Sequence, residues 1–201
     1  TIDKVVMPLL QMDNDGTGKK ITIYINTNGG SVYDGLCLCN IIEGLKTETE
    51  IIVLGYAYSM GSIILMSGKN NPNVTRKCYP FSTALIHGGS AYVGGTASQV
   101  KDYFKFNETF EKSIADSIVS HTNLTEDDYA AIERYEAYMD SDEMLEKGLV
   151  DEIIKWLYTL LYAVCIFSWK YLGMKGRFYM AKKNYTYKES KTTTKKISGV
   201  Y

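Results

Sequence analysis

Only two histidines and four cysteines stand among the 201 residues, leaving little from which to build a metal centre. Cys37-Leu-Cys39 lacks the C-x-x-C spacing of zinc and redox sites, and Cys78 and Cys165 stand apart. Neither a disulfide scaffold nor a thiolate metal cluster is expected, and so few thiols suit a reducing, cytoplasmic setting. Charge of one sign is missing too: 22 basic and 23 acidic side chains leave −1, so no nucleic acid is expected as a partner. No apolar run reaches the roughly 18–20 residues a membrane-spanning helix needs. No basic and apolar leader opens at Thr1, so no secretory signal is expected. What is present, 45% hydrophobic and 22% charged residues with 17 glycines, is the composition of one globular domain with or without a tail.

The near-zero net charge hides an asymmetry. Between Lys170 and Tyr201 nine basic residues face the single acid Glu189, so that segment carries +8 and residues 1–169 carry −9. The shift marks a boundary after Ile154 and predicts a domain over 1–155 and a tail over 156–201. The tail opens with an apolar stretch from Trp156 to Trp169, short of a bilayer span and expected as a buried or interfacial helix, with a membrane anchor as the alternative. Its basic end is expected to be a solvated, disordered terminus.

Within 1–155 the pattern is strand, turn, helix, repeated. Ile21-Thr-Ile-Tyr-Ile-Asn26 alternates and is β-branched, Thr27-Asn28-Gly29-Gly30 reads as a turn, and Ser31 to Lys46 has helical apolar spacing with Ser31 as N-cap. Glu50 to Tyr58 reads as a buried strand and Met60 to Ser67 as a short apolar helix. Such β-α steps predict right-handed crossovers and a mostly parallel sheet, an α/β fold. Lys69 to Pro80 reads as a surface loop, Ser82 to His87 as a third strand, and Thr96 to His121 as a long helix with Val100, Tyr103, Phe104, Phe110, Ile114, Ile118 and Val119 on or near one face. Thr125-Glu-Asp-Asp caps another helix, Asp140 to Lys147 is helical with Gly148 as its stop, and Leu149 to Ile154 closes as a strand.

Chemistry concentrates at Ala57-Tyr58-Ser59-Met60-Gly61, a serine between a buried strand and a helix with small residues on either side. This is a relaxed form of the nucleophile elbow, in which small neighbours let the chain turn sharply and present Oγ. A hydroxyl there lies beside the unpaired N–H groups of a helix start, where a developing oxyanion is stabilised; the plainer alternative is that Ser59 only caps the helix. Gly29-Gly30 falls at the carboxyl end of the neighbouring strand, the edge at which open α/β sheets build sites. His121 ends the long helix, where it can serve terminal carbonyls. His87 ends an apolar strand and, paired with Ser59, is the general-base candidate.

These residues carry a family resemblance. Ile25-Asn-Thr-Asn-Gly-Gly-Ser31, Gly55-Tyr-Ala-Tyr-Ser-Met-Gly61, Ala84-Leu-Ile-His-Gly88 and Asp142-Glu-Met-Leu-Glu-Lys-Gly-Leu-Val-Asp151 resemble the successive signatures of ClpP, the proteolytic subunit of the ATP-dependent Clp protease, over about residues 5–155. The resemblance implies the ClpP/crotonase-like fold: repeated β-α units around a mostly parallel sheet, with a protruding long helix. It also implies a homo-oligomer of stacked heptameric rings, a polypeptide substrate, a Clp ATPase unfoldase as partner, and no cofactor. Residue by residue it makes Ser59 the nucleophile, His87 the base, and the N–H groups of Gly30 and Met60 the oxyanion hole.

The chain departs from the family at the acid. Aligning Gly148-Leu-Val-Asp151 with the family's terminal motif puts Glu136 where the family has its triad aspartate; Asp140 and Asp142 are the alternatives. Asn28 replaces a common proline, and the family's first strand and axial loops have no counterpart before Thr1. The expected function is serine-type endopeptidase activity on unfolded polypeptides. A non-catalytic ring subunit, a phage head-maturation protease of the same fold and a crotonase-type acyl-CoA site are its rivals.

Overall fold

The computed structural model describes residues 3–154, so the tail expected over 156–201 lies outside the described residues. Its first element, α1 (Asp3–Asp13), was hidden in the sequence by Pro8, which removes an internal hydrogen bond and masks the helical pattern. Leu9 buries its side chain, and Asp13 accepts the N–H groups of Lys46 and Thr47 at 2.9 and 2.8 Å, tying α1 to the approach of the central strand.

The β-α steps fall where the pattern places them. β1 (Ile21–Thr27) turns into α2 (Val32–Glu43), whose N-cap Ser31 accepts the Asp34 N–H. β2 (Thr49–Tyr58) buries Ile51, Val53 and Ala57 completely and runs directly into α3 (Met60–Met66). β1 lies parallel along one edge of β2, from Ile21 opposite Thr49 to Thr27 opposite Ala57, with a register shift between Ile25 and Thr27. The Asn26 side chain fills that irregularity by accepting the Tyr56 N–H at 3.2 Å.

The other edge of β2 is shared by two parallel strands. Its first half pairs with β3 (Val74–Cys78) and its second half, Tyr56–Tyr58, with β4 (Thr83–Ile86). β3 corrects the expectation of a surface loop over 69–80. The segment is polar in composition, yet Val74, Arg76 and Cys78 alternate inward, and Arg76 is only 1% exposed. Its guanidinium is buried because Asp151 receives Nε at 3.1 Å and also bonds the terminal nitrogen, while the Gly148 carbonyl accepts Nη1 at 2.9 Å. Composition cannot show a partner 75 residues away.

After β4 the chain crosses to α4 (Ala97–Ser120), started by a reciprocal Thr96–Gln99 capping box. Ile118 is its buried residue, while Phe104 and Phe106 are each 55% exposed, so most of α4 stands away from the core. α5 (Glu126–Arg134) starts at the Thr125–Asp128 box; β5 (Ala137–Met139), too short to read from the sequence, pairs antiparallel with β4. α6 (Ser141–Glu146) is capped by Asp140, and the expected closing strand shrinks to β6 (Glu152–Ile153), parallel to β3. Among the described residues the sheet is thus parallel except for the β4–β5 pair.

Candidate active site

β2 ends by thrusting Ser59 into a conformation that side chains rarely adopt. Its φ of 54° and ψ of −123° are those of the first central residue of a type II′ turn, a place usually taken by glycine, and among the described residues it is the one non-glycine with positive φ. Two anchors hold it there. The Ser59 N–H donates to the Leu85 carbonyl of β4 at 2.8 Å, and Ser62 Oγ lies 2.6 and 2.8 Å from the carbonyls of Ala57 and Leu85. Ser59 caps the start of α3 by position, but its hydroxyl makes no capping bond, so the reading of Ser59 as a mere cap finds no hydrogen bond to stand on.

The Gly29-Gly30 turn presses against this elbow. Gly29 has φ 93°, and a Cβ on it would meet Tyr58 O at 2.7 Å and Met60 N at 2.9 Å, so only glycine allows so close an approach. Met60 is the first residue of α3 and its N–H has no acceptor within the helix. Gly30, Met60 and His87 line one cavity of about 580 Å³, walled on the far side by Tyr33 of α2 and by Phe110 and Ile114 of α4. Tyr33 and Phe110 stack there with ring centroids 5.3 Å apart. Gly88 to Ala91, which belong to no strand, also line it.

His87 follows the last residue of β4 and is half-buried. The β4–β5 ladder pairs Leu85 with Tyr138 and, last, Ile86 with Ala137, so His87 and Glu136 are the residues that flank its final pair. Glu136 is exposed, and its carboxylate accepts the Tyr138 hydroxyl at 2.9 Å. Among the described residues neither the Ser59 hydroxyl nor the His87 ring has a hydrogen-bond partner. Of the alternative acids, Asp140 accepts the Glu143 N–H at 2.9 Å as the cap of α6, and Asp142 sits in the first turn of that helix.

The remaining reactive side chains are placed elsewhere. Burial pushes the Cys39 and Cys78 thiols up to about 11, with Ser67 opposing the shift at Cys39 and Asp142 adding to it at Cys78, so both are poor nucleophiles at neutral pH. His121 closes α4: Nδ1 lies 2.7 Å from the Ser117 carbonyl, and Nε2 stands 3.0 Å from Glu43 Oε1 without the alignment of a hydrogen bond. Tyr138 and Ser62, which sequence reasoning did not single out, both touch the candidate residues. Tyr138 becomes visible only once residues 137–139 are known to be a strand, since a strand puts residues i and i+2 on one face.

The model of the Clp protease family matches residues 1–156. The chain is 32% identical over 156 residues to the ATP-dependent Clp protease proteolytic subunit of Deinococcus radiodurans, covering 76% of this chain and 73% of that protein. It is 29% identical over 155 residues to the subunit of the same name from Carsonella ruddii, covering 76% and 78%. A Bacteroides fragilis subunit of that name is 29% identical over 154 residues, covering 77% and 73%.

Proposed function

The chain belongs to the Clp protease family, and from that premise we propose that it is a serine endopeptidase with Ser59 as nucleophile, His87 as general base and Glu136 as the acid behind it. The observation that carries this reading is the strained Ser59 elbow, bonded to β4 at Leu85 two residues before His87. Strain of about 1–3 kcal/mol persists only where surrounding structure enforces it, and such sites cluster at reacting centres.

In the proposed cycle Ser59 Oγ attacks the scissile carbonyl carbon while His87 takes its proton. The N–H groups of Gly30 and Met60 donate to the oxygen as it becomes negative. Collapse expels the amine, which receives the proton from His87, and leaves an acyl ester on Ser59. Water then attacks the ester, His87 accepting its proton and returning it to Ser59. Catalytic hydrogen bonds are often long or misaligned until substrate binds, which suits the unpartnered Ser59 and His87 side chains. Substrate would lie extended beside Gly88–Ala91, main chain to main chain, with a side chain in the aromatic-walled cavity.

The relatives' shared name describes an ATP-dependent protease subunit, and this chain is proposed to act likewise, as a ring-forming subunit degrading polypeptide that a Clp ATPase unfolds. A second reading, a ring subunit without catalysis, is favoured by the exposure of Glu136 and its bond to Tyr138 rather than His87. Mapping a serine-reactive phosphonate by mass spectrometry separates the two. Labelling of Ser59 that disappears in Ser59→Ala and in His87→Ala supports the peptidase; folded, assembled protein that takes up no label supports the non-catalytic subunit.

A further inference from the structure

We propose that Tyr138 is a positioning residue of this site: its phenol holds one oxygen of the Glu136 carboxylate and so leaves the other free to orient the His87 imidazole. The inference rests on the peptidase reading and adds a component that the four sequence signatures do not contain.

The geometry begins with the β4–β5 pair. Residues directly opposite in an antiparallel pair share a face, and side chains alternate along each strand. Leu85 opposite Tyr138 therefore places Thr83 and Leu85 on the face that carries Tyr138, and carrying the alternation one step past the last pair, Ile86 with Ala137, brings His87 and Glu136 to that face. On that face Tyr138 Oη donates to Glu136 Oε2 at 2.9 Å. A carboxylate has two oxygens, and a donor on one leaves the second available to an imidazole N–H.

Tyr138 is itself held from the strand that ends in the nucleophile. Its ring meets Tyr58 edge to face, with centroids 6.0 Å apart and planes at 88°. Tyr58 in turn packs on Tyr56 at 5.0 Å, and its hydroxyl lies 3.0 Å from Thr83 Oγ1. Tyr58 immediately precedes Ser59, so the end of β2 places the nucleophile through the backbone and the acid through two tyrosine rings.

There is a chemical reason for such a brace here. Glutamate has one more rotatable bond than aspartate, and holding it in one rotamer costs more conformational entropy. A hydrogen bond to the carboxylate from a ring that rests edge-on against Tyr58 restricts that freedom. The bond to Glu136 raises the Tyr138 phenol above its ordinary value, as expected of a hydroxyl that donates to a carboxylate.

The test is a double-mutant cycle in the full-length protein, measured as turnover of a fluorogenic peptide with kcat and KM separated. Tyr138→Phe keeps the ring on Tyr58 and removes only the hydroxyl; we expect kcat to fall about three- to tenfold with KM unchanged, the scale of a partly exposed hydrogen bond to a charged group. In a Glu136→Ala background the same change should cost nothing further, because the group through which the hydroxyl acts on His87 is gone. A Tyr138→Phe protein with unaltered kcat, a loss confined to KM, or losses that multiply in the double variant each overturn the inference. Should Tyr138→Phe melt below the parent, the same cycle run at a temperature well below both midpoints, where each variant is fully folded, decides it by the same criterion. The parent reading fails separately: wild-type turnover that is absent, or that survives in Ser59→Ala, removes both, whereas Ser59-dependent turnover indifferent to Tyr138 removes the brace alone.

Discussion

Ser59 stores strain that two substitutions can distinguish. Alanine keeps a Cβ and therefore the unfavourable φ of 54°, whereas glycine adopts that region freely. Relief of about 1–3 kcal/mol outweighs the roughly 0.4–1 kcal/mol by which glycine favours the unfolded chain. Ser59→Gly is therefore expected to be more stable than Ser59→Ala by about 1 kcal/mol in urea denaturation, while both lose phosphonate labelling. Equal stability of the two would mean that the elbow is relaxed and that its dihedral angles say nothing about a reacting centre. The sequence already pointed to Ser59 by its small neighbours; it could not show that the hydroxyl leaves the cap unmade.

At the scale of elements the decisive piece is β3, which exists as an inward-facing strand because Asp151 neutralises Arg76. The strand carries a charge into a buried position, and a lone buried guanidinium is costly. Removing its partner by Asp151→Ala should destabilise the protein by about 2–3 kcal/mol, at the lower end of buried-pair losses because Asp151 is itself 42% exposed. The measurement is a urea midpoint with an unchanged slope; a shift worth less than about 0.5 kcal/mol, the range of ordinary surface substitutions, would sink the account. The α5 start was readable because a capping signature is local, Thr125 with Asp128. β3, β5 and α1 were not, since a buried ion pair, a three-residue pairing and a helix containing Pro8 leave no local periodicity.

Across the whole molecule, acid and base stability should be governed in part by a charge ladder over the sheet. Lys20 lies 3.0 and 2.7 Å from Glu48 and Glu50, and Lys77 lies 2.8 and 3.1 Å from Glu50 and Glu152, so the ladder crosses from the start of β1 to β6. Hydrogen bonds from Lys20 and then Lys77 hold the Glu50 carboxyl below its usual value. A carboxylate whose folded pKa is depressed contributes stability that is present above its unfolded pKa and lost as pH falls through the folded one. Hydrogen bonds to Glu50 raise both lysines, with Glu48 adding to Lys20 and Glu152 to Lys77, so their share is full below their ordinary value of 10.5 and fades only above it. Stability is expected to hold level between about pH 5 and pH 10 with respect to these groups, and to fall on the acid side less steeply in Glu50→Gln. An acid limb identical in that variant would show that the ladder does not couple to folding.

Local patterning determined a good deal: the β-α repeats, the capped helices and a serine and histidine at strand ends follow from alternation, helical spacing and turn chemistry, all of which act within a few residues. Those features also carried the family resemblance. Tertiary structure alone decided which segments meet. It placed Gly29 against the Ser59 elbow from 30 residues away and paired β4 with β5, Leu85 opposite Tyr138 and Ile86 opposite Ala137. The reason is that a pairing between distant strands and the burial of a charge both depend on partners that no window of sequence contains.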